Sequence, residues 1–241
     1  MPTVILVRHG RSNANSSGVL AGRTPGVKLD ETGLQQADAV GERLAVLPLA
    51  AIITSPLDRC KQTAAAIASH QGTHESASNH QALRPATDKR LTECGYGDWT
   101  GQQLSALMKD PLWPVVQQHP SAVTFPNGES MRAMQQRAVD AIREHDAAVS
   151  ESHGPDAVWV AVSHGDVIKA IVADALGVHL DTFQRIVIDT ATTTVITYTP
   201  TRPFVVRLND SGSELASFAP KPKGRRRKPA VRSSDAVVGG R

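Results

Sequence analysis

Cysteine is close to absent from this chain of 241 residues: Cys60 and Cys94 are its only two, too few for a disulfide framework. Long apolar runs are missing as well, and none approaches the roughly 18 residues of a membrane span. No N-terminal stretch joins a basic segment to an apolar one, and the chain starts at once on a core strand. The expectation is a cytoplasmic protein with no membrane partner. No cluster of His, Cys and Asp has zinc-ligand spacing, so no metal is expected. The glycines of Gly95-Tyr96-Gly97-Asp98-Trp99-Thr100-Gly101 fail as a dinucleotide fingerprint, because the third comes one residue late and no strong strand precedes them. No nucleotide cofactor is expected, and the two cysteines read as packed thiols. There is no internal repeat.

Charge is scarce in a different way. The net charge of +3 comes from the C-terminus, where residues 209–241 hold eight Lys/Arg against three acids. The body, residues 1–208, is near neutral. Rich in Ser, Pro, Gly and charge and without apolar periodicity, the segment 209–241 is expected to be a disordered basic tail. Lys221-Pro222-Lys223-Gly224-Arg225-Arg226-Arg227-Lys228 is a candidate for nucleic acid or an anionic surface, but it lacks interleaved aromatics and any recognisable module. Solvated disorder is the reading, and nucleic acid is not an expected partner.

With 40% apolar residues, the body can build a core that needs no staples. Apolar runs at 4–7, 51–54 and 157–162 read as buried parallel strands, and two further strands are expected at 193–198 and 204–208. A short strand is expected near Ala82-Leu83. Thr32 and Gln35 have capping-box spacing, predicting a helix over 33–47 with Leu34, Ala37, Val40, Gly41, Leu44 and Leu47 facing inward. Further helices are expected over 58–69, from Asn127-Gly128-Glu129 to about 151 (Met131, Met134, Ala138, Ala141, Ile142 and Ala148 inward), and over 166–176. Residues 104–128 carry four prolines and little regularity, which suggests a small cap insert. Strands alternating with helices predict an α/β fold, a three-layer α/β/α sandwich with a mostly parallel central sheet and helices on both faces.

Three of these strands run into chemistry-bearing residues: Arg8-His9-Gly10, Ser55-Pro56-Leu57-Asp58-Arg59 and Ser163-His164-Gly165. Open α/β sheets bind ligands beyond the carboxyl ends of their strands, so two arginines and two histidines can converge there. Guanidinium forks and ring N–H donors suit a phosphate group.

R-H-G near the N-terminus, S-P-L-x-R-x-x-Q-T-A, L-x-E-x-x-Y-G-x-W-x-G and S-H-G, in that order, resemble the histidine phosphatase superfamily, also called phosphoglycerate-mutase-like, over residues 1 to 208. The resemblance implies that His9 is a nucleophile forming a phosphohistidine and that Glu93 is the general acid and base. Arg8, Arg59 and His164 would bind the phosphoryl group, joined by Asn15, Ser12 and the N–H of Gly165. Gly22, Arg23 and Tyr96 are candidates on the substrate side. Asp166 is the alternative acid, or simply the N-cap of its helix.

Phosphatases and mutases of the family share this apparatus. The mutases carry a lysine where Leu104 stands here and a pair of arginines further on, whereas Lys109 is the only fixed cation between Leu104 and Met131. Leu107, Trp113, Pro114, Val116, His119 and Phe125 would line a less charged cavity or form the core of the cap. The expectation is a metal-independent phosphomonoesterase of broad selectivity for a small phosphorylated metabolite, similar to actinobacterial members described as acid phosphatases or probable phosphomutases. The alternatives are a phosphoglycerate-type mutase and a noncatalytic phosphate-pocket or scaffold protein. A homodimer is expected from the family alone.

Overall fold

The computed structural model describes residues 2–71 and 83–212. Six strands, β1 (Thr3–Arg8), β2 (Leu49–Thr54), β3 (Ala86–Thr87), β4 (Val158–Ser163), β5 (Thr193–Tyr198) and β6 (Pro203–Asp210), form one sheet in the order β3-β2-β4-β1-β5-β6. The first four in that order run parallel, and β5 is antiparallel to both β1 and β6. β1 and β4 lie at the centre because their continuous apolar sequence can be covered on both sides.

Helices cover both faces, as expected of an α/β sandwich. Ile5, Val7, Ile52, Val160 and Val162 face α2 (Glu31–Leu44) and α3 (Asp58–Ser69) through Val40, Leu44, Ala64 and Ile67. Val4, Leu6, Ile53 and Ala161 face α6 (Met131–His153) and α7 (Gly165–Ala175) through Met134, Ala141, Ile142 and Ile168. Along β1, the period of two thus splits neighbouring residues between two cores. Each such buried aliphatic side chain stabilises the fold by about 1.5–3 kcal/mol.

Several boundaries differ from expectation, each for a local reason. Asp30, not Thr32, caps α2, accepting from Gly33 N at 2.8 Å. The buried stripe is then Gly33, Ala37, Val40, Gly41 and Leu44, while Leu34 sits on its flank, 50% exposed, and the helix ends at Leu44 before Leu47 and Pro48. α6 starts at Met131 with Ser130 as its cap, because Asn127 and Gly128 form a tight turn in which Gly128 lies against the Gly95 carbonyl. At the far end of α6, Val149 is buried and Ala148 exposed. The short strand is Ala86–Thr87 rather than Ala82-Leu83: Pro85, with no N–H to donate, precedes it, Leu83 is not in a strand, and Ala82 lies outside the described residues.

The expected cap insert contains two short helices. α1 (Asn13–Ser17) follows β1, whereas α4 (Leu104–Leu107) and α5 (Trp113–Gln118) are followed by a 3₁₀ turn at Pro120–Ala122. Leu107, Val116 and Phe125 are buried in the same core as α6 and α7, and Trp113 stacks on Trp99 with centroids 6.0 Å apart. β6 continues to Asp210, past the expected boundary at Leu208; residues 213–241, most of the expected tail, lie outside the described residues. Among the described residues, no helix is long and apolar enough to cross a membrane.

Candidate active site

The register Arg8↔Ser163 between β1 and β4 ends both strands at the same level. His9 and His164 therefore leave the sheet side by side, ring centroids 5.2 Å apart at 63°. Arg59 reaches the pair from the first turn of α3, after β2. Its Nε donates to His9 Nε2 at 3.2 Å, and its Nη2 donates to the Gly22 carbonyl at 2.8 Å and lies 3.2 Å from His164 Nδ1. Nη1, also buried, has no hydrogen-bond partner among the described residues.

His9 Nδ1 lies 2.7 Å from the Gly10 carbonyl oxygen. A carbonyl can only accept, so Nδ1 carries the proton and Nε2 keeps its lone pair. Burial, followed by the charges of Arg59 and Arg8, holds the ring's pKa well below the usual histidine range. His9 is thus a neutral imidazole whose unprotonated nitrogen, Nε2, accepts from Arg59 Nε. The backbone around it is fixed: Gly10 N donates to Thr63 Oγ1 at 3.1 Å, and His9 N donates to the Ser163 carbonyl at 3.0 Å. His164 makes the opposite pattern, Nδ1 facing Arg59 Nη2 and Nε2 standing 2.8 Å from Ser55 Oγ. Burial and the same arginines keep it neutral too.

Glu93 follows a 3₁₀ turn at Lys89–Leu91 and is 5% exposed. Its Oε1 accepts from Cys94 N at 2.9 Å, and its Oε2 is 3.9 Å from His164 Nδ1. Burial and then the charge of Asp166 raise its pKa to about 7, against the opposing pull of Arg59. Such a carboxyl can give a proton and take one back near neutrality. Its main chain is held by two guanidinium groups, Arg23 Nε at 2.8 Å and Arg137 Nη2 at 3.2 Å from the Glu93 carbonyl oxygen. Glu129 joins those two arginines.

These residues surround a cavity with about 420 Å³ of empty space, opening included. His9, Ser12, Asn15, Gly22, Arg59, Glu93 and Tyr96 line it, with Ala14, Gly18, Val19, Leu20, Ala21 and Leu104 as the remaining wall. Ser12 and Asn15 also cap α1: Asn15 Oδ1 accepts from Ser12 N and Oγ, and Ser12 Oγ accepts from Asn15 N. Arg8 and His164 are fully buried behind the lining, Arg8 Nη1 donating to the Ile188 carbonyl at 2.7 Å.

Other expected residues are placed elsewhere. Gly165 opens α7 and does not line the cavity. Arg23 is tied to Glu93 and Glu129 and borders a separate shallow depression with Gly95, Thr100 and Asn127. The Tyr96 hydroxyl is fully buried and donates to Asp166 Oδ2 at 2.7 Å. Asp166 is not a helix cap: His164 holds that position, and Asp166 is buried inside the first turn of α7. Leu107, Trp113, Pro114, Val116, His119 and Phe125 do not line this cavity; Leu107, Val116 and Phe125 are core. Cys60 and Cys94 are buried free thiols, with burial pushing the Cys60 pKa up to about 12.

Two supports escaped the sequence. Ser55 stands inside the S-P-L-x-R motif, where its place before proline is the signal that could have found it. Arg137 has no such signal, since only folding returns it to Glu93, 44 positions away.

Known proteins resemble this chain in sequence and in fold. Phosphoserine phosphatase 1 of Hydrogenobacter thermophilus is 30% identical over 214 residues, covering 87% of this chain and 92% of that protein. Fructose-2,6-bisphosphatase TIGAR of Xenopus tropicalis is 36% identical over 135 residues, 56% of this chain, and the match spans only 46% of its length. The solved structure of Bacillus stearothermophilus YhfR superposes with a TM-score of 0.75 at 27% identity, covering 87% of this chain and 98% of that one. The family model of the histidine phosphatase superfamily (branch 1) matches residues 4–211, so it runs from the strand before His9 to the end of the sheet, and the chain belongs to that superfamily.

Proposed function

We propose that the protein is a metal-independent phosphomonoester hydrolase that works through a phosphohistidine on His9, with Glu93 as general acid and base. The observation that carries this reading is the His9 ring, which lines the cavity and is neutral and fixed by Gly10 so that Nε2 keeps its lone pair, held toward the guanidinium of Arg59 that would bind the phosphoryl group. In the first step Nε2 attacks phosphorus, the ester P–O bond breaks, and protonated Glu93 gives its proton to the departing alkoxide. In the second, Glu93 takes a proton from water, whose oxygen attacks the phosphohistidine; the P–N bond breaks and phosphate leaves. Arg59 and Arg8 offset the negative charge that develops on the equatorial oxygens, His164 bracing Arg59.

The relatives include enzymes named for phosphoserine and for fructose 2,6-bisphosphate, which supports a small phosphorylated metabolite as substrate. Among the described residues, Arg59 is the only lysine or arginine on the cavity lining, and the rest of the wall is mostly small or apolar. A polyanionic substrate would find little to hold its extra charges. This favours broad hydrolysis over a mutase specialised for glycerate phosphates.

The test is phosphate release from p-nitrophenyl phosphate and 3-phosphoglycerate by wild type and His9→Ala, with a 2,3-bisphosphoglycerate-primed mutase assay alongside. Hydrolysis lost in the variant without mutase activity is expected; strong mutase activity would overturn the reading. The pH profile adds a second check. The acid form of Glu93 is present below about pH 7, and His9 stays neutral well into the acid range. kcat/KM for an alkyl phosphate should therefore fall above about pH 7, and Glu93→Gln should cost such a poor leaving group far more than it costs p-nitrophenyl phosphate.

A further inference from the structure

The arginine that follows Gly22 touches the acid from outside the cavity. Arg23 Nε donates to the Glu93 carbonyl oxygen at 2.8 Å, and Arg23 Nη2 donates to Glu129 Oε2 at 2.8 Å. Its guanidinium lies on the main chain of Gly95, where an added Cβ would stand 3.3 Å from Arg23 Cζ. Glu129 completes the joint. Its Oε2 also accepts from Gly95 N at 3.1 Å, its N–H donates to the Gly95 carbonyl at 2.7 Å, and its carboxylate pairs with Arg137.

This joint matters because the Glu93 carboxyl does little to hold itself. Among the described residues, the hydrogen bond it takes comes from the N–H of Cys94, the next residue in its own segment. Oε2 stands 3.9 Å from His164 Nδ1, beyond hydrogen-bond reach. Where the carboxyl points therefore depends on where the main chain of residues 93–95 is docked.

The same short loop also holds the phosphate arginine. Gly22, in left-handed backbone at φ +50°, accepts from Arg59 Nη2 on its carbonyl oxygen at 2.8 Å. One residue later, Arg23 reaches Glu93. Gly22 and Arg23 thus span from the guanidinium that would bind the phosphoryl group to the acid that would protonate the leaving oxygen. Those two groups must meet the two ends of a single P–O bond, and a misplacement of about 1 Å can cost about 10²-fold in rate. A contact with substrate fits Arg23 less well, because its Nε and Nη2 are already engaged and it does not line the cavity that holds His9.

We propose that Arg23 is a positioning residue: with Gly22 it sets the distance between the phosphate-binding Arg59 and the acid Glu93, so that the Glu93 proton falls on the leaving oxygen. The inference rests on the reading of Glu93 as the acid. It gives Arg23 an effect that follows the basicity of the leaving group, not the charge on the rest of the substrate.

The experiment measures kcat/KM of the full chain as wild type, Arg23→Met, Glu93→Gln and the double variant, on p-nitrophenyl phosphate, glycerol 1-phosphate and 3-phosphoglycerate. Arg23→Met should lose about tenfold or more on the two alkyl esters alike. It should lose less than about threefold on p-nitrophenyl phosphate, whose leaving group needs no proton, and inhibition by inorganic phosphate should stay within about twofold of wild type. In the Glu93→Gln background the same change should add less than about twofold on the alkyl esters. A loss on 3-phosphoglycerate alone means that Arg23 binds the substrate carboxylate, and it overturns the inference. An equal loss on all three substrates, or a matching loss of phosphate inhibition, is what a merely structural role gives and overturns it too. If Arg23→Met does not fold, Glu129→Gln, which keeps an acceptor for Gly95 N but removes the charge facing Arg23, should show the same selectivity more weakly, and its absence there overturns the inference. If Glu93→Gln depends on the leaving group and the Arg23 variant does not, this inference alone falls. If Glu93→Gln lacks that dependence, the reading of Glu93 falls and takes the inference with it.

Discussion

The two strand ends that carry histidine share a local plan: an apolar strand, a histidine, a glycine. After β1, His9 donates from Nδ1 to the Gly10 carbonyl, so Nε2 is left as an acceptor and receives Arg59 Nε. After β4, His164 receives Arg59 Nη2 on Nδ1, so its Nε2 carries the proton toward Ser55 Oγ. Both rings accept from Arg59, and of the two His9 lines the cavity while His164 is buried behind it. A strand end therefore delivers an imidazole, but the atom that meets its far nitrogen decides what the imidazole does.

The most severe test of this contrast is a pair of glutamine variants, because glutamine offers a donor but no nucleophile. His9→Gln should lose about 10⁴-fold or more in kcat/KM. His164→Gln should lose about 10²-fold, the scale of a weakened electrostatic contact. Equal losses, measured on the same substrate, would erase the distinction. A finer cut is Ser55→Ala, which removes a hydrogen bond worth about 1 kcal/mol from His164 alone; a drop of about fivefold is expected, with trapping of phosphohistidine on His9 intact. Failure to trap it in this variant would mean that the two rings are not separable.

Much of the frame behind this contrast was legible in local pattern. α3 spans Asp58–Ser69 and β5 spans Thr193–Tyr198 as the apolar runs and turn residues require. The convergence of Arg59 and His164 on His9 follows from parallel strands ending together. Helix starts were harder to read, since Asp30 and Thr32 are both competent caps and only packing of Gly33 beneath Arg11 selects the first. The chain from Tyr96 to Asp166 joins residues 70 apart, and no periodicity within either segment carries that information. The aromatic residues of 104–128 could be assigned to a core or a cavity only once Trp99 and Phe125 were in place, 5.3 Å apart.

The close approach of Gly10 and Gly33 has a consequence for the site. A Cβ at Gly10 would come within 2.4 Å of the Gly33 carbonyl oxygen, and one at Gly33 within 1.8 Å of the Arg11 oxygen. Next to His9 in the chain, main chain therefore packs on main chain, with no side chain to rearrange. The cavity wall also holds Gly18 and Gly22, whose φ angles of +68° and +50° would strain any side chain, and a Cβ at Gly22 would come within 2.9 Å of Thr100 Oγ1. Two different constraints thus act near the reacting ring: close main-chain packing beside it and left-handed backbone in the wall. Enlarging the repertoire of this enzyme by mutation has to proceed from wall positions such as Ala14, Ala21 and Leu104, while the packed main chain beside His9 holds the reacting ring in register.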